Sequence, residues 1–326
     1  MLKLRRLLRF EYIDKTVDKS TIYCYNISIF FSEGLITLMK TAIVTDSNSG
    51  ITQSQAKELG IHVVPMPVLI EGEQFFEDLT LTQETFYEKL KADAQVSTSQ
   101  PSAFDVGELW NEILKEYDKI VHIPMSSGLS ETCRTLTHLA ETEFKDKVYV
   151  IDNQRISITM RQSVIDALKM VNEGKSAEEI RDWLTDTKMQ SSIYIMVDTL
   201  KYLKKGGRLT PAVAMIGTLL KIKPVLQIQG FKLDQYAKVR KVADAKTTMI
   251  NAIESDLKTR FADLRAAGKM TLAVAHTDNY EEAKIFADEL KERFPDLELD
   301  FIDPLSLSVS CHIGPGALAC ATTIKY

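Results

Sequence analysis

The chain has 326 residues, 45% hydrophobic and 26% charged, with 40 basic against 45 acidic side chains and a formal net charge of −5. That is enough chain for two domains of ordinary size, and the mildly acidic balance gives no footprint for nucleic acid or an anionic membrane. The four cysteines (Cys24, Cys133, Cys311, Cys320) form no C-x-x-C pair, which argues against a disulfide frame and a zinc knuckle and for a reducing compartment.

Residues 1–10 are basic and apolar, but Glu11, Asp14, Lys15, Asp18 and Lys19 stand where the apolar core of a signal peptide belongs. Residues 21–38 are apolar only in patches, hold Asn26 and Glu33, and are too short and broken for a membrane span. Residues 1–38 are therefore expected to be a poorly ordered extension or a start assigned too early. A membrane anchor is the alternative.

Residues 41–44 are a short apolar run ending in Asp46-Ser47-Asn48-Ser49-Gly50, followed by a polar helix over 52–59. A strand, a tight turn at its carboxyl end and a helix make the first unit of a parallel sheet. Residues 61–70 read as a second strand, marked as edge or irregular by Pro65 and Pro67. Thr82 caps the next helix, with Leu81 and Phe86 as a hydrophobic staple. Residues 96–101 read as a hydroxyl-rich turn. Ser102 and Asp105 box a helix whose Val106, Trp110, Ile113, Leu114 and Tyr117 share one face. A buried strand over 120–123 stops at Pro124, passes through Met125-Ser126-Ser127-Gly128-Leu129 and enters a helix for which Ser130 is the expected N-cap. A strand over 147–152 and two helices follow, the second boxed by Ser176 and Glu179. The alternation predicts an N-terminal α/β domain over 39–190 with a doubly wound parallel sheet.

After Ser192 the pattern changes. A strand over 193–197 leads to a short helix over 200–205, stopped by Gly206-Gly207. Thr210 with Pro211 opens another helix. A hairpin over 224–239 turns at Gly230, and a long helix spans 243–267. A strand over 271–276, a helix boxed by Asp278 and Glu281 that runs to Phe294, and a strand over 297–302 complete the pattern. Hairpin and crossover together predict a C-terminal α/β domain over 191–326 with a mixed sheet. There is no internal repeat.

The usual enzyme signatures are missing: no G-x-S-x-G elbow, no Walker loop and no G-x-G-x-x-G after a strand. Gly314-Pro315-Gly316 is a weak look-alike, and Cys311, His312 and Cys320 are a poor metal set. A serine hydrolase or acyltransferase using Ser126, Ser127 or Ser130 with His122, His276 or His312 is the alternative function, unsupported by spacing. A small anion site fits better. The two hydroxyl-rich turns, at Ser97-Thr98 and at 126–130, are expected at the carboxyl ends of neighbouring strands, where open α/β sheets bind ligands. A helix N-terminus there adds N–H donors and a positive dipole end. Neutral hydroxyls with backbone donors suit a carboxylate, although serine and threonine also favour ordinary caps and turns. His276 and His312 read first as packed or capping residues. Gly206-Gly207-Arg208 reads as a helix stop that also lets backbone approach a ligand or partner closely.

Thr45-Asp46-Ser47-Asn48-Ser49-Gly50, Thr98-Ser99-Gln100-Pro101, Ser126-Ser127-Gly128-Leu129-Ser130, Gly206-Gly207-Arg208, the Lys223-Pro224 strand and His312-x-Gly314-Pro315-Gly316-Ala317 occur in this order. In order and spacing the set resembles the DegV family, from Met39 to Tyr326. The resemblance implies a cytoplasmic bacterial protein that holds a long-chain fatty acid, such as palmitate or oleate, between two α/β domains. It would present the acid to a separate fatty acid kinase that makes acyl phosphate from ATP. Such a protein catalyses nothing itself, needs no metal and no cofactor beyond the bound acid, and serves fatty acid metabolism or lipid transport.

Carried over by position, Thr98 and Ser130 would hold the carboxylate, with Ser99, Ser126, Ser127, His276 and His312 as supporting candidates. Glu131 replaces a glycine common in the family and brings a negative charge beside the site. The tail needs an apolar tunnel, for which Met196, Leu200, Met215, Ile216 and Leu219 are candidates. Arg208 and Arg240, with Lys238 and Lys241, are candidate docking cations for the kinase.

Overall fold

The computed structural model describes residues 39–326 except 209, 215–221 and 232. The extension over 1–38, and the tunnel candidates Met215, Ile216 and Leu219, lie outside the described residues. No helix among the described residues is long and apolar enough to cross a membrane.

The first half builds two sheets where the sequence reads as one. Strand β1 (Thr41–Asp46) is buried throughout and ends in a 3-10 turn, Ser47–Ser49. Helix α1 (Gln53–Leu59), opened by a Thr52–Gln55 capping box, returns the chain to β2 (His62–Val64). The apolar run then breaks at Pro65-Met66, and β3 (Pro67–Ile70) pairs antiparallel with β4 (Glu73–Phe76) in a separate sheet. Prolines give no N–H to a ladder, so two of them divide one apolar run between two sheets. After α2 (Gln83–Lys91), capped by Thr82, β5 (Val96–Thr98) joins the other edge of β3. Residues 96–98 are thus strand, not turn, and lie outside the parallel sheet. Val96 and Thr98 are β-branched and find partners in Ile70 and Val68.

Helix α3 (Ala103–Ile113), capped by Ser102, leads to β6 (Lys119–Ile123), α4 (Thr132–Glu143), β7 (Val148–Val150) and α5 (Ser157–Asn172). The four strands run β2-β1-β6-β7, all parallel. Helix α6 (Ala177–Asp186) starts with the expected Ser176–Glu179 box.

The second half holds β8 (Ser191–Met196), α7 (Lys201–Lys205), α8 (Pro211–Ala214) and the hairpin of β9 (Lys223–Ile228) with β10 (Leu233–Val239). Then come α9 (Val242–Lys258), α10 (Ala262–Ala266), β11 (Met270–His276), α11 (Tyr280–Arg293), β12 (Leu299–Pro304), α12 (Leu307–Ile313) and β13 (Leu318–Ile324). The sheet order is β10-β9-β8-β13-β11-β12, with β11 and β12 its parallel pair, so it is mixed.

Two helix expectations are corrected. The long helix ends at Lys258 and restarts at Ala262, because Phe261 turns into the core and its N–H donates to the Asp256 carbonyl. Helix α11 starts at Tyr280 with no side-chain cap; Asp278 instead has left-handed backbone and pairs with Lys91 at 2.6 Å.

The six-stranded sheet has two unlike faces. Tyr194, Met196, Leu272, Val274, Leu318 and Cys320 join the core cluster that contains residues of α9 and α11. Ile193, Ile195, Ala273, Ala275, Ala319 and Ala321 face the other way, among Ile156, Ile158 and Ile313. Alternation along each strand separates the two sets. Alanines on β11 and β13 leave room on the second face. That room is where the cavity lies.

Candidate functional site

The loop between β6 and α4 is set by the carboxyl end of β1. Asp46 is buried and accepts from the Met125 N–H at 2.9 Å and the Asn48 N–H at 2.9 Å. Burial pushes its carboxyl up to about 6, against the pull of those hydrogen bonds. Asn48 extends the clamp: its Nδ2 reaches the Met125 sulfur, and its Oδ1 accepts from the hydroxyls of Ser306 and Ser308. Asp152 holds the next residue, accepting from the Ser127 N–H at 3.2 Å and its hydroxyl at 2.5 Å.

Within that frame Ser130 is not the N-cap. Helix α4 begins at Thr132, its cap position is Glu131, and Glu131 makes no side-chain cap bond. Ser130 stands one residue further out, yet its hydroxyl still accepts from the Thr132 N–H at 3.2 Å and touches Thr132 Oγ1 at 2.9 Å. A short turn, Leu129 N–H to the Ser126 carbonyl, displaces the start. The Glu131 carboxylate turns outward, 69% exposed, and pairs with Arg134 at 2.6 Å. Its charge is spent on solvent and a neighbour on its own helix.

Thr98 Oγ1 lies 2.9 Å from His312 Nε2. Burial, helped by the nearby Arg208 charge, lowers His312 to about 4, so the ring is neutral at pH 7. Its Nδ1 is buried with no partner. The neutral ring therefore meets Thr98 through Nε2 alone, as donor or acceptor according to its tautomer. Gly206 makes this packing possible: a Cβ there would stand 2.1 Å from His312 Nδ1. Gly206 is needed for close approach, not for a left-handed turn.

These groups share one cavity of about 600 Å³. Thr98, Ser99, Gln100, Ser130, Glu131, Arg208 and His312 line it, as do Ile193, Ile195, Ile228, Leu233, Ala275 and Ala319. Of the expected supporting residues, Ser99 is exposed and lines the cavity, and Ser127 lines it with its hydroxyl tied to Asp152. Ser126 does not line it; its hydroxyl donates to the Phe231 carbonyl at 2.9 Å and holds the β9–β10 hairpin. His276 is apart, buried, with Nδ1 accepting from the Asn279 N–H. Met196 faces the opposite side of the sheet, and Leu200 packs against the core without lining the cavity. Arg208 is exposed while lining the cavity, whereas Arg240 is exposed just beyond β10.

Sequence reasoning missed Asp46, Asn48 and Asp152 as the clamp, and Ser157 and Ser308 as lining residues. The polar run Asp46-Ser47-Asn48-Ser49 directly after a buried strand was the available signal. No Ser–His hydrogen bond occurs among the described residues: His122 Nδ1 accepts from Trp110, and His276 and His312 bond as above. Among the described residues no group of His, Cys, Asp and Glu is placed to hold a metal.

A family model described as uncharacterised protein, DegV family, matches residues 40–325. Protein DegV of Bacillus subtilis is 29% identical over 289 residues, 88% of this chain and all of that one. A DegV domain-containing protein of Clostridium acetobutylicum is 31% identical over 292 residues, 87% of this chain and 97% of its own. Among solved structures, B. subtilis DegV, described as a fatty acid binding protein, superposes with a TM-score of 0.77 at 29% identity, covering 88% of this chain and 100% of that one. A DegV family protein from Thermus thermophilus, described by its fatty acid binding, gives 0.80 at 26% identity with the same coverage.

Proposed function

The chain belongs to the DegV family, and from that premise we propose that it binds one long-chain fatty acid, such as palmitate or oleate, and presents the carboxylate to a fatty acid kinase for acyl-phosphate formation in the cytoplasm. In this reading the acid lies between domains of residues 39–190 and 191–326. Thr98 and Ser130 grip the carboxylate, and His312 orients the Thr98 hydroxyl. The carrying observation is one cavity that joins a hydroxyl cluster to apolar walls of Ile193, Ile195, Ile228 and Leu233. About 14 methylenes at ~0.8 kcal/mol each supply most of the affinity before ordering costs. The hydroxyls then set orientation. With each serine of the loop bonded to a group other than histidine, the hydrolase reading has no assembled base behind its nucleophile.

The test is direct. Protein made in bacteria is extracted with organic solvent and the extract analysed by mass spectrometry. One C16–C18 acid per chain is the expected result. Absence of lipid, together with ester turnover that disappears on serine substitution, would replace the carrier by the hydrolase.

A further inference from the structure

One polar residue inside the cavity has no part in gripping a carboxylate at Thr98 and Ser130. Ser157 is 6% exposed and lines the cavity between Ile156 and Ile158. The other buried or half-buried lining hydroxyls are engaged: Thr98 with His312, Ser127 with Asp152, Ser130 with Thr132, Thr210 with the Leu233 carbonyl, Ser308 with Asn48. Among the described residues the Ser157 hydroxyl has no hydrogen-bond partner. It also opens α5, a 16-residue helix whose cap position, Ile156, offers no side-chain acceptor. First-turn N–H groups and a positive dipole end therefore gather where the hydroxyl stands. The Ser157 oxygen opens on the cavity, so a ligand chain that covers it without a polar partner strips its water at a cost, and helix N–H donors beside it favour an oxygen.

We propose that Ser157 and the start of α5 form a polar subsite along the acyl cavity that receives an oxygen carried by the ligand's chain, as a hydroxyl or keto group. The inference rests on the fatty acid reading and adds selectivity to it. A plain saturated chain passing this point displaces any water there and leaves Ser157 unpaired. An oxygenated chain in register replaces that water and keeps the bonds. The Ser157 hydroxyl can both donate and accept, so a ligand hydroxyl suits it as well as a carbonyl.

Delipidated protein is titrated with stearic acid and with monohydroxystearic acids that differ in the position of the hydroxyl. Wild type is compared with Ser157→Gly and Ser157→Ala. Ser157 has φ of 54°, which glycine adopts freely, so the glycine variant deletes the hydroxyl without strain. One positional isomer should bind wild type about tenfold more tightly than stearate. Both variants should lose that preference and bind stearate at least as tightly as wild type, because the hydroxyl that stearate leaves unpaired is gone. If no isomer outbinds stearate, or if the preference survives in both variants, the subsite is refuted while the fatty acid reading stands. Binding of neither stearate nor any isomer refutes both.

Discussion

At the scale of residues, Thr98 and His312 act as a pair. Thr98→Val keeps the shape and deletes the donor, so fatty acid affinity should fall by roughly 1–3 kcal/mol. The melting temperature of lipid-free protein should also fall, because His312 Nε2 loses its partner while Nδ1 has none among the described residues; calorimetry would record it. Thr98→Val and Ser130→Ala grip one group, so calorimetric titration of the double variant should be non-additive. His312 also predicts a pH effect. Its folded pKa is lowered, to about 4, while the unfolded ring titrates near 6.5. The unfolded chain therefore takes up the proton first, and stability is lost as the pH falls from about 6.5 towards 4. His122, lowered to about 3 by burial, has the same sign. His312→Gln should flatten the acid limb of a thermal-melt series without abolishing it; an unchanged limb would place the effect on His62, His122 and His276, which burial also lowers. The hydroxyls of the site were legible in the sequence because serine and threonine crowd two short stretches. The clamp was not, since Asp46 meets Met125 across 79 positions and Asn48 meets Ser306 across 258.

At the scale of elements, two contacts carry the cavity wall. The β9–β10 hairpin rests on Gly128, where a Cβ would stand 1.8 Å from the Phe231 carbonyl oxygen. Gly128→Ala must push that backbone away. A loss of about 1–3 kcal/mol by denaturant unfolding is expected, with weaker fatty acid binding because Ile228 and Leu233 move with the hairpin. The start of α12 is held by Glu77, buried, which accepts from the Leu307 N–H at 2.9 Å. Burial raises its carboxyl to about 8. A raised acid favours the fold fully below its unfolded pKa, near 4.3, and the benefit is lost as pH rises through about 8. Melting temperature should drop across that range, and Glu77→Gln should remove the drop. Caps at Thr82, Ser102 and Ser176 fell where the sequence put them, being local patterns of four residues. Strand β4, helix α12 and strand β13 were not legible. Glu73–Phe76 is half polar, and Leu318–Ile324 is rich in alanine and threonine, so neither has the apolar signature of a strand.

At the scale of the molecule, the parallel and mixed sheets were legible from the order of strands and helices, while the third sheet was hidden by an apolar run that reads as continuous. The space for a ligand comes from the alanine face of β11 and β13. Ala319→Phe should fill it, lowering affinity for C18 acids far more than for shorter ones in a chain-length series. Charge reversal at Arg240, away from the cavity lining, should weaken kinase-dependent acyl-phosphate formation and leave lipid binding intact. Equal activity at several ionic strengths would remove Arg240 from the docking surface.

Strand β13 also sets a timetable. It sits between β8 and β11, pairing antiparallel with both, yet of the described strands it leaves the ribosome last. Until residues 318–324 emerge, β8 with its hairpin and β11 with β12 are two halves of a sheet without their middle, exposing strand edges and the alanine face together. The parallel sheet can close as soon as β7 is made, but the cavity wall that includes Ala275 and Ala319 can assemble only after synthesis has passed Ile324. Ribosome-bound chains halted before Leu318 should therefore be protease-resistant at most over the parallel sheet and its helices, since the third sheet packs on Leu307 and Cys311, and should bind no fatty acid.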